Sequence, residues 1–130
     1  MLIRRLEEIK GTDDSVDDGD FISRRFILSH DGMGYSVHDT IIRSGDELHM
    51  WYKNHLETVY CIEGEGEIED LTEGGVHPIA PGTLYALNNH QKHVLRCRKE
   101  MRLLCVFNPP LTGQETHDED GSYPLLSENG

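Results

Sequence analysis

Three residues with metal-ligand chemistry, Glu57, Tyr85 and His93, lie in the β-rich middle of this chain. They are too far apart in sequence to share one helix face, but separate strands of a barrel can bring them to one opening. A carboxylate, a phenolate and an imidazole leave coordination positions open for water or substrate, as a catalytic metal site requires. The spacing alone fits equally a buried tyrosine, a solvated histidine and a paired glutamate, so a metal site and a structural explanation both stay open.

The elements that must position these residues are short strands. Segments rich in β-branched and aromatic residues follow one another from Phe21 to Phe107, separated by Gly, Pro, Asn or Asp. About eight to ten strands without helical periodicity between them predict an all-β fold, an antiparallel β-barrel or jelly roll. CIEGEGEIED is predicted to be a hairpin that turns at Gly64, Glu65 and Gly66. The predicted strands are FISRRFILS, GYSVHDTIIR, LHMWYK, ETVYCIE, GEIED, LYAL, HVLRC and MRLLCVF.

Alternation along a strand places Glu57 on the same face as Val59 and Cys61. If that face points inward, the carboxylate lies among apolar neighbours and needs a partner, for which a metal ion is suitable. A second strand has the same pattern, with a further apolar face formed by Leu103, Cys105 and Phe107.

The chain of 130 residues is expected to form one domain, because it is long enough for one core and too short for two. Residues 1–20 are predicted to hold a short strand or helical turn and an acidic loop, GTDDSVDDGD, whose spacing is not that of an EF-hand. Residues 21–108 form the predicted barrel. Residues 109–130 are polar and rich in turn formers, which fits either a disordered tail or a lid over the barrel.

Composition excludes several classes of protein. The net charge is −12, from 24 acidic and 12 basic residues, so nucleic-acid binding is not expected. No run is apolar enough to cross a bilayer, and the start, MLIRRLEEIKG, is too charged for a signal peptide. The three cysteines are odd in number and lie in apolar segments, which favours reduced core thiols and a cytoplasmic protein.

Other residues could take part in the chemistry. His49 and His55 are the alternative metal ligands, although His49 has the wrong strand phase. His55, in the turn before Glu57, could also hydrogen-bond to a ligand or act as an acid or base. Cys105 could be a nucleophile, although a cysteine in the middle of a strand is more often an inert core thiol. Arg25 could bind a carboxylate or form a surface ion pair.

Two glycine-punctuated segments, GDELHMWYKNHLETVYCIEG and GGVHPIAPGTLYALNN, resemble the paired motifs of the cupin superfamily, which are small antiparallel β-barrels with a metal pocket at the mouth. The usual cupin pattern has histidines where this chain has Trp51, Lys53 and Tyr85, and only Glu57 keeps the common ligand type. This departure favours a non-catalytic cupin that binds or senses a small molecule. A metal-dependent dioxygenase is a third possibility.

Longer runs are more specific. DGMGYSVHDTII, WYKNHLETVYCIEGEGEIED, HPIAPGTLYAL and CVFNPPLTGQETHDEDGSYP closely resemble the ectoine synthase family, and the likeness extends over nearly the whole chain to Pro124. It implies a cytoplasmic, iron-dependent, homodimeric cupin, a hydro-lyase that closes N-γ-acetyl-L-2,4-diaminobutyrate into the compatible solute ectoine with loss of water. Two oxygen ligands and one nitrogen ligand would accept Fe, Mn, Co or Zn, so iron rests on the resemblance.

The resemblance also implies particular residues. The family's metal ligands fall on Glu57, Tyr85 and His93, and the segment after residue 108 corresponds to a cover over the barrel. Phe21 stands where the family typically has Trp. The expected substrate-binding residues are Phe21, Arg25, His38, Thr40, Cys105 and Phe107, and the expected proton-transfer residues are Tyr52, Glu115 and His117.

Overall fold

The computed structural model describes residues 1–19 and 21–126, and within these ranges the protein is almost entirely β. One helical turn precedes the strands, and one 3₁₀ turn lies between two of them. No helix in the described ranges is long and apolar enough to cross a membrane. The elements are α1 (Leu6–Ile9), β1 (Ser15–Asp17), β2 (Ile22–Ile27), a 3₁₀ turn (Ser29–Asp31), β3 (Ser36–Ile42), β4 (Glu47–Met50), β5 (Leu56–Asp70), β6 (Val76–Ile79), β7 (Leu84–Leu87) and β8 (His93–Asn108).

Two long strands, β5 and β8, organise the fold by pairing with each other antiparallel from end to end. The first part of β5 and the last part of β8 form one layer with β7, β3, β2 and β1. The remaining parts of the two long strands form a second layer, with β6 on one side and β4 on the other. The predicted all-β cupin-type architecture is therefore confirmed.

The predicted hairpin in CIEGEGEIED is wrong, because β5 runs through it without reversing. Register shifts between Cys61 and Gly66 mark irregular pairing with β8, as β-bulges produce. Gly64 has φ +94°, and a Cβ there would lie 2.2 Å from the Glu100 carbonyl oxygen. The glycines permit a bend with close backbone approach, and such a bend has the same sequence signature as a turn.

Other element boundaries also differ from the predictions. HVLRC and MRLLCVF belong to one strand, β8, because it bends together with β5. The predicted strand LHMWYK is too long, because β4 ends at Met50 and leaves Trp51 and Lys53 in the loop that follows. The N-terminal element is a helical turn, and the acidic loop contains the short strand β1, which pairs with β2. The exposed strand β6 was not predicted, since VHPI is short and holds a proline.

The core lies between the two layers and follows the predicted alternation. Val59 and Cys61 are each 1% exposed, and Glu57 on the same face is 7% exposed. On the neighbouring strand β8, Leu103, Cys105 and Phe107 pair with these residues on the same face and are buried as well. The predicted inward faces of both strands are thus correct.

The segment that follows β8, residues 109–126, has no regular secondary structure but packs against residues 49–54; we call it the C-terminal segment. The Trp51 N–H donates to the Gly121 carbonyl at 3.2 Å, and Asn54 Nδ2 donates to the Tyr123 carbonyl at 2.9 Å. Gly121 has φ +68°, and a Cβ there would lie 2.2 Å from the His49 carbonyl oxygen. Only glycine allows the segment to approach the barrel this closely.

Candidate active site

A cavity inside the barrel collects most of the predicted site residues. Strands from the first layer supply most of its walls, and the end of β4, the first part of β8, the loop after β4 and the C-terminal segment supply the rest. The lining side chains are Phe21, Ser23, His38, Thr40, Ile42, Met50, Tyr52, Glu57, Tyr85, Leu95, Leu103, Cys105, Phe107 and Tyr123. This set includes every predicted site residue except Arg25, His93, Glu115 and His117, which lie around it. The mixture of aromatic walls with a few polar groups is typical of a small-molecule site.

Glu57 occupies the inward face of β5, directly opposite Phe107 of β8 and Leu87 of β7. Burial raises the pKa of its carboxyl to about 8, and a hydrogen bond from the Cys105 thiol opposes this increase. A carboxyl in such surroundings ionises readily only when a positive charge is close. The Cys105 thiol stays protonated, because burial first, and then the charge of Glu57, raise its pKa well above the ordinary value.

Tyr85 of β7 lies opposite Val59 and is close to Glu57, whose charge adds to burial in raising the tyrosine pKa well above its ordinary value. Its ring borders the barrel cavity together with Glu57. On its other side it borders a groove that His93 also lines. Tyr85 therefore lines one pocket together with Glu57 and another together with His93.

His93 is the first residue of β8 and is fully buried. Its Nδ1 lies 2.9 Å from the Gln91 carbonyl oxygen, so Nδ1 carries the hydrogen and Nε2 presents a lone pair. Nε2 is buried and has no hydrogen-bond partner among residues 1–19 and 21–126. Histidines that bind metals commonly donate their other N–H to a backbone carbonyl in this way.

The chemistry of Glu57, Tyr85 and His93 fits a metal ion. Within the described residues, the Glu57 carboxyl is buried without a paired cation, the Tyr85 phenol is buried, and His93 Nε2 has a lone pair without a hydrogen-bond partner. Within residues 1–19 and 21–126, no group of three or more His, Cys, Asp or Glu is placed to hold a metal. The predicted ligands Glu57, Tyr85 and His93 are not such a group, because one of the three is a tyrosine. His49, the alternative considered from sequence, is exposed and paired with Glu47.

Arg25 of β2 is 2% exposed and lies behind the cavity wall. Its Nη2 donates to the Glu115 carbonyl at 2.8 Å, and its guanidinium carbon lies 6.0 Å from the centroid of the Tyr123 ring. Its Nη1 is buried and has no hydrogen-bond partner within the described part of the chain. A surface ion pair, the alternative explanation of Arg25, is therefore excluded, and the unused donor indicates an anionic ligand.

The predicted proton-transfer residues have different surroundings. Tyr52 Oη lies 2.8 Å from His117 Nε2, and the Phe21 ring packs edge-on against His117 at 4.9 Å. Glu115 is buried, and its carboxylate accepts hydrogen bonds from the backbone of Thr112 and Gly113. These bonds hold a turn of the C-terminal segment, so both oxygens of the Glu115 carboxylate are engaged by the protein itself.

His55 is 1% exposed but does not line the cavity. Its ring packs edge-on against Phe107 and Tyr123, at 5.9 and 6.3 Å between centroids. Burial lowers its pKa, while the nearby Glu115 carboxylate opposes this. These contacts place His55 behind the aromatic wall of the cavity.

Two cavity residues with hydroxyl groups, Tyr123 and Ser23, were missed from sequence. Tyr123 is 1% exposed and stacks on Tyr52, with 5.3 Å between centroids and 19° between the rings. Ser23 is 2% exposed and lies on the cavity wall beside His38. Tyr123 falls in a polar segment without periodicity, and an isolated serine on a strand carries no sequence signal, so only the path of the folded chain identifies them.

Comparison with known proteins identifies the family. The protein-family model for ectoine synthase matches residues 1–127. This chain belongs to the ectoine synthase family. Its relatives include proteins named L-ectoine synthase from Desulfatibacillum aliphaticivorans, 59% identical over 98% of this chain and 100% of that protein, and from Halalkalibacterium halodurans, 56% identical over 98% and 99%.

Solved structures agree with this assignment. The crystal structure of the ectoine synthase from P. lautus matches with a TM-score of 0.88 and 57% identity, covering 98% of this chain and 91% of that chain. An RmlC-like cupin from Desulfovibrio desulfuricans matches with a TM-score of 0.61 at 21% identity, covering 85% and 99%, and this likeness concerns the fold alone. The resemblance to ectoine synthases and the predicted cupin fold are both confirmed.

Proposed function

We propose that this protein is an L-ectoine synthase, a hydro-lyase that closes N-γ-acetyl-L-2,4-diaminobutyrate into ectoine and releases water. The observation that carries this proposal is the similarity of nearly the whole chain to proteins of that name. The buried cavity supports it, because a small zwitterion needs polar groups at its ends and a dry wall between them. The enzyme would act in the cytoplasm to make a compatible solute under osmotic stress.

Iron is the proposed cofactor, held by Glu57, Tyr85 and His93. When bound, it supplies a Lewis acid that polarises the amide carbonyl of the substrate. The donor set supports a divalent cation, because a nearby positive charge would let the buried Glu57 carboxyl ionise. The choice of iron over Mn, Co or Zn rests on the family.

Ring closure requires the α-amine of the substrate to lose one proton before it attacks the acetyl carbon. Tyr52 lines the cavity, and burial, its largest influence, raises its pKa well above the ordinary value, so the phenol stays neutral. A neutral phenol can accept a proton at Oη while it passes its own to His117 Nε2, 2.8 Å away. We therefore assign proton transfer to the pair Tyr52 and His117, with Glu115 supporting the C-terminal segment.

The remaining residues bind the substrate and exclude water. Phe21, Phe107 and Tyr123 form apolar parts of the wall, and dryness matters because the amidine product is itself hydrolysable. Tyr123 belongs to the C-terminal segment, which supports the proposal that this segment is a lid. Thr40 supplies a polar contact on the same wall, and the His38 ring lies beside it. Arg25 supplies the positive charge for the substrate carboxylate.

A homodimer is also proposed. On the outer face of the first layer, Leu84, Tyr60 and Leu104 stand side by side on β7, β5 and β8. They are 59%, 43% and 37% exposed, and such an apolar row supports contact with another copy. Light scattering after size-exclusion chromatography tests this: a mass twice that of the chain is expected, and a monomer at micromolar concentration would refute it.

The decisive experiment follows the acetylated diamine by NMR with iron-loaded protein. Formation of the cyclic amidine, stopped by a chelator and restored by iron, is the expected result. Oxygen uptake without ring closure would instead indicate a dioxygenase. Absence of any conversion by folded, metal-bearing protein would contradict the proposal and favour a binding module.

A further inference from the structure

Ser23 lies at the end of a buried chain of hydrogen bonds that starts at the C-terminal segment. The Leu111 N–H donates to Ser36 Oγ at 3.1 Å, and Ser36 Oγ lies 2.9 Å from His38 Nε2. His38 Nδ1 in turn lies 3.4 Å from Ser23 Oγ. Ser36, His38 and Ser23 are 0%, 1% and 2% exposed, so their polar atoms must be satisfied by one another or by a ligand.

The direction of this chain follows from the number of donors and acceptors. Ser36 Oγ already accepts the Leu111 N–H, and the acceptor within reach of its own hydrogen is His38 Nε2. His38 is neutral, since burial lowers its pKa to about 3 and the charge of Arg25 lowers it further. A neutral imidazole that accepts at Nε2 carries its hydrogen on Nδ1. His38 Nδ1–H therefore donates towards Ser23.

Ser23 Oγ thus accepts one hydrogen bond from His38 Nδ1–H and a second from Arg25 Nε–H, each at 3.4 Å. With its oxygen engaged by two N–H groups, the Ser23 hydroxyl hydrogen is left to donate, and Ser23 lines the cavity. Beside it, Arg25 Nη1 is a second buried donor, and it has no partner among the residues that the structure describes. The Arg25 contacts within these residues go to neutral oxygens, so none of them neutralises the guanidinium charge.

We infer that Ser23 binds the substrate carboxylate together with Arg25, and that Ser36 and His38 are positioning residues that turn the Ser23 hydroxyl hydrogen towards it. This inference rests on the proposed function for the identity of the substrate. Two unused donors and one positive charge match the two oxygens and the negative charge of a carboxylate. The Leu111 N–H is the first donor in this series of hydrogen bonds. The Ser23 hydroxyl hydrogen is therefore oriented towards the ligand only when the C-terminal segment is packed against the barrel.

The first test compares Ser23→Ala with wild type, using the acetylated diamine and its analogue without the α-carboxylate, N-acetyl-1,3-diaminopropane. A lost hydrogen bond to a charged group weakens binding roughly 10-fold or more, so KM for the full substrate should rise by that factor. Because the contact is present in both ground and transition states, kcat should change little. The analogue should show no difference between the two proteins.

An equal penalty on both compounds, or no change in KM, would overturn the inference. Ser23→Cys keeps the volume with a weaker donor and should give the same pattern if Ser23→Ala folds poorly. Ser44→Ala is the matched control, because Ser44 is exposed and donates to the Arg98 carbonyl. Calorimetric binding of the full substrate gives the same comparison without turnover, so an inactive wild type that still binds would count against the proposed function alone.

The second test reads the histidine tautomer directly. In ¹⁵N–¹H spectra, His38 should carry its hydrogen on Nδ1 in wild type and in Ser44→Ala. Ser36→Ala should lose this preference and raise KM as Ser23→Ala does. A His38 hydrogen on Nε2 in wild type would refute the relay, and an unchanged tautomer in Ser36→Ala would remove Ser36 from it.

Discussion

Tyr52 Oη lies 2.8 Å from His117 Nε2, and this contact joins the wall of the barrel cavity to the C-terminal segment. The two rings also lie in one aromatic group with Tyr123, which stacks on Tyr52 and is 4.6 Å from His117. The polar contact and the stacking depend on the same placement of the segment. In the proposed mechanism, proton transfer through this pair therefore depends on closure of the cavity by the C-terminal segment.

The first prediction concerns this pair. Tyr52→Phe removes the hydroxyl and keeps the ring, so kcat should fall roughly 100-fold or more while folding is retained. His117→Ala should cost a similar factor, and the double variant should be little worse than either single variant, because both remove the same relay. Steady-state kinetics checks this, with Tyr60→Phe, an exposed tyrosine, as the control. Additive losses would show that the two residues act separately.

The second prediction concerns the metal. Glu57→Ala, Tyr85→Ala and His93→Ala should each lower iron affinity by at least roughly 100-fold, because loss of a ligand exceeds the usual cost of losing its hydrogen-bond partner. Elemental analysis of purified protein measures this independently of turnover. His49→Ala is the control, since His49 is exposed and pairs with Glu47. Iron retained at the wild-type level in all three variants would exclude this donor set.

The third prediction concerns acid stability. The pKa of His38 is about 3 in the folded protein, below its value in an unfolded chain, about 6.5. Between these values the unfolded state binds the additional proton, so stability is lost as pH falls from about 6.5 towards 3. The free energy of unfolding should decrease by about 1.4 kcal/mol per pH unit from this group.

His38→Asn should remove that slope, and urea titrations at several pH values compare the two proteins. Other buried histidines contribute equally to both, so the difference between the curves isolates His38. Parallel curves for the two proteins would mean that His38 is not held neutral.

The fourth prediction concerns Gly121. Gly121→Ala introduces a Cβ 2.2 Å from the His49 carbonyl oxygen, in addition to the strain of a positive φ. The C-terminal segment should be displaced, and kcat/KM should fall roughly 100-fold, since misplacement by about 1 Å costs that much. Gly74→Ala is the matched control, because Gly74 has φ +92° but open space around it.

Activity and limited proteolysis of residues 109–126 measure the effect of Gly121→Ala. Faster cleavage in Gly121→Ala than in Gly74→Ala is expected. Equal activity in the two variants would show that close approach of the segment is not needed for catalysis.

Sequence reasoning predicted what depends on local pattern. Alternation placed Glu57 on an inward face, and the strand count indicated a barrel. The hairpin at Gly64 was wrong because a bulge and a turn use the same residues, and only partner strands distinguish them. Tyr123 was missed because its position depends on contacts that the C-terminal segment makes with residues far away in sequence. Ser23 was missed because a single serine on a strand carries no sequence signal of its role. The family motifs supplied the remaining site residues, which pattern alone left open.

β5 and β8 each belong to both layers of the barrel, so the two layers share their central strands. Neither layer can open alone without breaking the pairing of a strand that continues into the other. The barrel should therefore unfold as one cooperative unit, with a single transition seen by probes in either layer. A destabilising substitution on β6 would consequently lower the temperature at which the whole barrel unfolds, although no residue of β6 lines the cavity.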